Sequence, residues 1–309
     1  MSNKESYTFG RQIELLRNRG LIIQDEQNAL RYLSRISYYR LKGYWWDMQS
    51  DTTKHIFEPD HTFEEVVRIY EFDKELRHIC FDAIESIEIA LRTQMIYWLS
   101  QEYGGLWYLN SELFEDQTLY SQHLHDLFSE FNRSKELFVK DYRIKHPNYS
   151  SKSEEWDSDE YPDAWIILEV ATFGNLSKIY KNLKHQLPAK SRIANGFGLN
   201  MSSELSSWLE AISYLRNVIA HHSRLWNRTV VKKPMNISSA KFPWLNILTE
   251  YQQKRPYSVI STMLYLCNAI DAECDFKDRL YDLFERYNDV PIYKIGFVSG
   301  WQCNPIWKR

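Results

Sequence analysis

The sequence predicts an all-α fold, organised as a helical bundle, on three observations. Glycine and proline number only 10 and 9 in 309 residues, which is typical of long helices rather than of a turn-rich β fold. Apolar residues recur at intervals of three and four over long stretches, the spacing that places them on one face of a helix. The sequence shows no alternation of strand and helix patterns.

The predicted helices follow one another along the chain. Asp25 is a suitable N-cap for a helix over residues 26–36. The residues "TFEE" at 62–65 match a capping box, and the periodic pattern after them predicts the longest helix, to about residue 100. Residues 111–145 are predicted to form one or two helices, and further helical patterns cover residues 164–173, 175–183, 202–222, 257–271 and 275–288. The tail at 295–309 is expected to dock through its tryptophans.

Composition divides the chain into two regions. Residues 1–55 form a small N-terminal helical unit that is rich in basic and aromatic side chains, and residues 56–309 form a larger α-helical domain. Within the larger region, "HPNYSSKSEEWDSDEYPD" at 146–163 is polar and rich in turn-forming residues. We expect this segment to be an inserted loop.

Charge, cysteine content and hydropathy limit the class of protein. The net charge of −3 does not indicate nucleic-acid binding, so any RNA-binding surface must be local. The four cysteines have no C-x-x-C spacing, which argues against zinc and suits a reducing cytosol. The N-terminus lacks a signal-peptide core, and no stretch reaches the roughly 18 apolar residues of a membrane span. We expect a cytoplasmic protein with no membrane partner and no cofactor.

The N-terminal unit combines cations with aromatic rings around "SYYRLKGYWW" at 37–46. One interpretation is an RNA-binding surface, on which bases stack against rings and phosphates meet cations. The other is an aromatic core with an ordinary solvated basic face, which the same spacing predicts. The residues expected to contact RNA are Arg35, Tyr39, Arg40 and Lys42, together with Arg224 and Arg228 further along the chain.

Titratable and phosphate-binding residues are concentrated in "RNVIAHHSRLWNR" at 216–228, where an amphipathic helix ends. On a helical wheel, Asn217 and His221 are four positions apart and share a face. His222 lies about 20° from Leu215 on the apolar stripe, so we expect it to be buried and His221 to be the functional histidine. Arg216 lies about 140° from His221, but its long side chain can reach a shared phosphate.

These residue types suit RNA cleavage in which the 2′-hydroxyl attacks the adjacent phosphate without a metal ion. Histidine exchanges protons near neutral pH, arginine binds phosphate oxygens in a bidentate manner, and asparagine can orient the histidine. The alternative is a helix terminus whose Arg and His side chains merely offset the helix dipole. A metal nuclease finds no support, since the sequence contains no carboxylate cluster or HExxH motif.

Three charged residues of the longest helix have a spacing that allows them to interact. Glu85 and Glu88 are three positions apart, and Glu88 and Arg92 are four apart. One interpretation is a polar shell that orients Arg216 and His221 when the two helices pack together. The other is a ladder of surface ion pairs, which contributes only a few tenths of a kcal/mol.

Four ordered blocks of sequence resemble a known family. They are "SRISYYRLKGYWW" at 34–46, "YEFDKELRHICFDAIESIEIALR" at 70–92, "WIILEVATFGNLSKIYKNL" at 165–183 and "RNVIAHHSRLWNR" at 216–228. In this order they resemble the Abi (abortive infection, AbiD/AbiF-like) proteins of bacteria. The last block is similar to the R-x(4–6)-H signature of HEPN domains.

The resemblance implies a phage-defence or toxin-like protein whose HEPN domain cuts RNA without metal, as a pair of domains across a homodimer. Arg216 and His221 match the signature positions as catalytic residues, and Asn217 matches a frequent polar second position. His222 also fits the allowed spacing as an alternative. RNA is the implied partner, as substrate and in some relatives as a regulatory small RNA. The competing hypothesis is a non-catalytic HEPN module that binds RNA or protein in phage sensing.

Overall fold

Thirteen α-helices make up most of the described part of the chain, which confirms the predicted all-α class. The computed structural model describes residues 6–147, 149, 160–237 and 239–309. Its helices, α1 to α13 in chain order, are Phe9–Asn18, Glu26–Arg35, Tyr38–Trp45, Phe63–Tyr103, Gln117–Arg133, Leu137–Lys145, Ala164–Ile167, Phe173–Asn182, Pro188–Gly196, Ser202–Ala220, Glu250–Gln253, Pro256–Ile270 and Phe276–Arg286. A short antiparallel hairpin, β1 (Gln49–Asp51) and β2 (Ile56–Phe57), follows α3.

Helix α4 is the axis of the bundle. Its 41 residues give it a length of roughly 60 Å. The helix begins where predicted, because the Thr62 hydroxyl accepts a hydrogen bond from the Glu65 N–H at 3.0 Å. The Glu65 carboxylate lies 2.8 Å from His61 Nδ1 rather than on the Thr62 N–H, and so only the Thr62 half of the predicted capping box is formed. Helices α3, α8, α9, α10, α12 and α13 all pack against α4.

The other predicted helices are present, with differences. Helix α7 covers only the first four residues of the pattern predicted over 164–173, and a 3₁₀ turn follows at Leu168–Val170. Residues 111–145 form two helices, α5 and α6, because the Ser134 backbone is extended between them. Helix α9 was not predicted, since its buried side chains are mostly small and give a weak apolar pattern. It nevertheless packs against both α4 and α10. None of the helices in the described ranges combines the length and apolarity that crossing a membrane requires.

Two predicted segments remain, the C-terminal tail at 295–309 and the loop at 146–163. The tail docks as expected, with Trp301 and Trp307 both buried and the Trp307 indole N–H donating to the Ser261 hydroxyl at 3.2 Å. Most of the predicted loop at 146–163 lies outside the described residues. Within the described part of it, Tyr149 packs against the core, and its hydroxyl donates to Asn132 Oδ1 at 2.7 Å.

Candidate functional site at the end of helix α10

Helix α10 has the buried stripe that its sequence predicts. Leu205, Trp208, Ile212, Leu215 and Ile219 are all buried, and the helix packs against α4, α8, α9 and α12. This packing fixes the rotation of the helix about its axis. The residues of the sequence motif therefore have defined positions at its C-terminal end.

The prediction that His222 lies on the buried stripe is wrong. The helix ends at Ala220, and His222 adopts the left-handed conformation with φ of 53°. The His222 N–H donates to the Ile219 carbonyl at 2.8 Å, and the Ser223 N–H donates to the Val218 carbonyl at 2.9 Å. These two bonds form a Schellman motif, in which the left-handed position usually holds glycine. The chain turns away there, and both His221 and His222 are exposed.

Substitutions of His222 test its place in an exposed turn with positive φ. His222→Gly is expected to raise the free energy of unfolding by about 0.5–1 kcal/mol, because glycine adopts positive φ without a clash of Cβ. His222→Ala keeps the Cβ and removes no buried contact, and so it should change stability by less than about 0.5 kcal/mol. Urea unfolding of both variants measures the difference. If His222→Ala instead lowers the free energy of unfolding by about 2 kcal/mol, His222 is buried as the helical wheel predicted.

A buried carboxylate holds the segment that follows the motif. Asp73 of α4 is fully buried, and its Oδ1 accepts hydrogen bonds from the Leu225 and Trp226 N–H groups at 2.9 and 2.6 Å. Its Oδ2 accepts from the Tyr44 hydroxyl at 2.7 Å and from Arg77 Nε at 3.2 Å. Asp73 thus joins α3, α4 and the end of the motif in one hydrogen-bonded junction.

Burial raises the pKa of Asp73, and the charge of Arg77 and the donated hydrogen bonds oppose that rise. Asp73 was not among the predicted site residues, although its position in the sequence carries a signal. Asp73 stands four positions after Ile69 and three before Leu76, both buried, and so it places a carboxylate on the apolar stripe of α4. A charge on such a stripe indicates a specific buried partner.

Arg216 faces a small charged cleft between α10 and α4. The cleft has a volume of about 300 Å³, and Glu85, Glu88 and Arg92 contribute its charged lining together with Arg216. Arg92 Nη2 donates to Glu88 Oε1 at 3.0 Å, and Arg92 also donates to the carbonyls of Leu168 and Ala171. Burial raises the pKa of Glu88, while the charges of Arg92 and Arg216 act against this. The structure therefore brings together Arg216 and the three charged residues predicted on α4.

Asn217 and His221 lie outside that lining. The His221 N–H still donates to the Asn217 carbonyl at 3.1 Å, which keeps the two residues one helical turn apart as predicted. Both residues are exposed, whereas Arg216 is half-buried. Within the described residues the two side chains form no hydrogen bond. They are accordingly available to a ligand or to another protein molecule.

The residues expected to contact RNA fall into two groups. Arg35, Tyr39 and Lys42 line a separate groove in the N-terminal region. Arg40 Nη1 donates to the His222 carbonyl at 2.5 Å, so α3 contacts the end of the motif directly.

Arg224 and Arg228 are half-buried at that same end, and both make intramolecular hydrogen bonds. Arg224 Nη1 donates to the Trp226 carbonyl at 2.8 Å, and Arg228 Nε donates to the Arg224 carbonyl at 2.7 Å. The Arg224 side chain also lies against Gly43, where it occupies space that a Cβ would need. These two arginines stabilise the turn after α10.

The fold and the site define an all-α protein with Arg, Asn and His side chains accessible where a central buried helix ends. Among the residues described, no group of three or more His, Cys, Asp or Glu side chains is arranged to hold a metal ion. A family model described as Abi-like protein matches residues 31–227, which is more than half of the chain. The chain therefore belongs to the Abi-like protein family, and this membership suggests a role in abortive infection. Searches of the curated proteins and of the solved structures found no match.

Proposed function

We propose that this protein is a metal-independent endoribonuclease of a bacterial abortive-infection or toxin-like system, with a HEPN-type R-x4-H site. The observation that carries the proposal is that Asn217 and His221 are exposed, and Arg216 lines a cleft, at the end of a helix that is otherwise largely buried. Exposed polar groups at a rigid helix end are poised to contact a substrate. Membership of the Abi-like family supports the same conclusion.

Each residue has a role in this proposal. The RNA 2′-hydroxyl attacks the adjacent phosphorus, and the bond from phosphorus to the 5′-oxygen breaks. His221 transfers a proton to or from the reacting oxygens, and Arg216 stabilises the charge that develops on the phosphate. Asn217 is exposed one turn away on the same face, where its side-chain amide can donate to a phosphate oxygen of the bound RNA. Glu88 and Arg92 support Arg216 from α4, through the charges that line the shared cleft.

The reaction requires both a base and an acid, whereas one chain supplies one His221. We propose that two copies form a homodimer in which the two motifs face each other across a two-fold axis. One His221 then removes the proton from the 2′-hydroxyl and the other protonates the leaving 5′-oxygen.

The test is an RNA cleavage assay with purified protein in the presence of EDTA. The expected products carry a 2′,3′-cyclic phosphate and a 5′-hydroxyl, and DNA of the same sequence should resist because it lacks the nucleophile. Cleavage that requires a metal ion, or that leaves 5′-phosphate ends, would contradict the mechanism. RNA binding without any cleavage would instead support the alternative of a non-catalytic HEPN module.

A further inference from the structure

A second concavity lies in the N-terminal region, and none of its lining residues belongs to the α10 motif. It has a volume of about 960 Å³ and is lined by α1, α2, α3 and the turn between β1 and β2. This volume is in the range of sites that hold small organic ligands. We call it the N-terminal groove, and the side chains used in the argument are Tyr7, Phe9, Arg19, Arg35, Tyr39 and Lys42.

The charge in the N-terminal groove is of one sign. Arg19, Arg35 and Lys42 line it, and its described lining residues include no carboxylate. Lys42 Nζ lies 3.3 Å from His55 Nε2. Burial and the charges of Lys42 and Arg19 lower the pKa of His55, so this imidazole accepts from Lys42 in its neutral form.

Other arginines of the protein form ion pairs with carboxylates, whereas Arg19 and Arg35 form none within the described part of the chain. Arg68, Arg279 and Arg286 form ion pairs with carboxylates at 2.6 Å. Arg19 instead donates to the Tyr38 hydroxyl at 2.8 Å, and Arg35 donates to the Arg31 carbonyl at 3.1 Å. Among the described residues, Arg19, Arg35 and Lys42 therefore form no ion pair with a carboxylate. An anionic ligand would supply the counter-charge.

Exposed aromatic side chains line the same groove as these cations, and the Arg11 guanidinium covers one face of Tyr7 at 4.4 Å from the ring centroid. Tyr39 is 80% exposed, and Tyr7 and Phe9 are also exposed. Their exposure leaves apolar ring surface in water at a site that already attracts anions. A ligand that combines a flat aromatic ring with negative charge would cover both features.

We propose that the N-terminal groove binds a nucleoside phosphate, with the base stacked on an exposed ring and the phosphate held by Lys42 and Arg35. A nucleoside phosphate can be presented either as a free nucleotide or as one unit of an RNA strand. An acidic peptide would meet the cations but would leave the rings uncovered. The proposal does not depend on RNA cleavage, because none of these residues belongs to the α10 motif.

The experiment measures binding to the full-length protein by calorimetry and fluorescence anisotropy. The probes are AMP and a labelled 2′-O-methyl oligouridine of about six nucleotides, which resists attack by the 2′-oxygen. The variants are Tyr39→Ala and Lys42→Glu, with Lys140→Glu on the exposed face of α6 as the matched charge control. Because Tyr39 is so exposed, Tyr39→Ala should fold normally, and thermal melting checks this.

Each groove variant is expected to weaken binding about tenfold or more, whereas Lys140→Glu should bind as the unaltered protein does. Comparable affinity for AMP and for the oligonucleotide would indicate a free nucleotide as ligand, and affinity for the oligonucleotide alone would indicate RNA. The proposal is overturned if neither probe binds, or if both groove variants bind like the control. Arg216→Ala should leave binding in the groove intact, which separates this proposal from the proposed nuclease activity.

Discussion

Replacing Arg216 with alanine is expected to reduce RNA cleavage by about a hundredfold to a thousandfold, because removing one group that stabilises the transition-state charge has effects of this size. Stability should change little, since Arg216 is half-buried and lines a cleft rather than packing in the core. Initial rates in EDTA and thermal melting measure the two effects separately. An active Arg216→Ala variant would exclude the proposed role of this residue.

Two further variants sharpen this test. Arg216→Lys keeps the charge but loses the planar pair of donors, and so it should show intermediate activity. His221→Ala should be as inactive as Arg216→Ala, and the double variant should lose little more, because residues that act as a unit are not additive. If the effects of the two single variants multiply instead, the residues act independently.

A mixed dimer tests whether the two motifs form one site. One protomer is unaltered, its partner carries His221→Ala, and two different affinity tags allow the mixed species to be isolated. If the reaction uses both histidines, the mixed dimer should be nearly inactive. Half of the normal activity would show that each chain acts alone, and a fully active monomer would exclude the dimer as well.

Replacing Asp73 with asparagine is expected to lower the free energy of unfolding by about 3–5 kcal/mol, the cost typical of breaking a buried ion pair from one side. The substitution leaves the Arg77 charge unpaired in the core, and the new amide presents N–H donors to groups that also donate. The Leu225 and Trp226 N–H groups already share Oδ1. If the remaining oxygen keeps them, the new amide faces the Tyr44 hydroxyl and Arg77 Nε. Urea denaturation, with the slope checked for two-state behaviour, gives the value.

Asp82 provides the matched control on the same helix. It is exposed and accepts from Arg279 at 2.6 Å, so Asp82→Asn should cost less than about 1 kcal/mol. Both substitutions make the same chemical change to an aspartate that is paired with an arginine. Asp73 is buried and accepts four hydrogen bonds, whereas Asp82 is exposed and accepts from Arg279. Equal effects for the two variants would show that the junction around Asp73 does not hold the end of the motif.

Local signals in the sequence were sufficient for most helices. The Asp25 and Thr62 side chains cap α2 and α4 as predicted, because capping joins residues only three positions apart. The stripe from Leu205 to Ile219 is buried as predicted, since helical periodicity determines which residues share a face. Helix α9 was missed because its small side chains carry little of that signal.

The motif at 216–228 could also be predicted from local spacing. The spacing of Asn217 and His221 is a property of one helix, and the backbone bond between them preserves it. Sequence could also specify Glu88 and Arg92 as an i, i+4 pair, which the structure forms at 3.0 Å. Periodicity could not specify which neighbouring helix each face would meet.

Tertiary structure decided the rest, because it depends on contacts between residues far apart in the chain. The sequence alone determined an all-α protein with Arg, Asn and His at the end of an amphipathic helix. Only the packing of α10 on α4 brings Arg216 beside Glu88, and only the assembly of α1, α2 and α3 forms the N-terminal groove. The helical wheel predicted a buried His222 because it assumes that the helix continues to that residue. The chain instead turns at that residue, and the buried Asp73 carboxylate binds the two N–H groups of Leu225 and Trp226 beyond the turn.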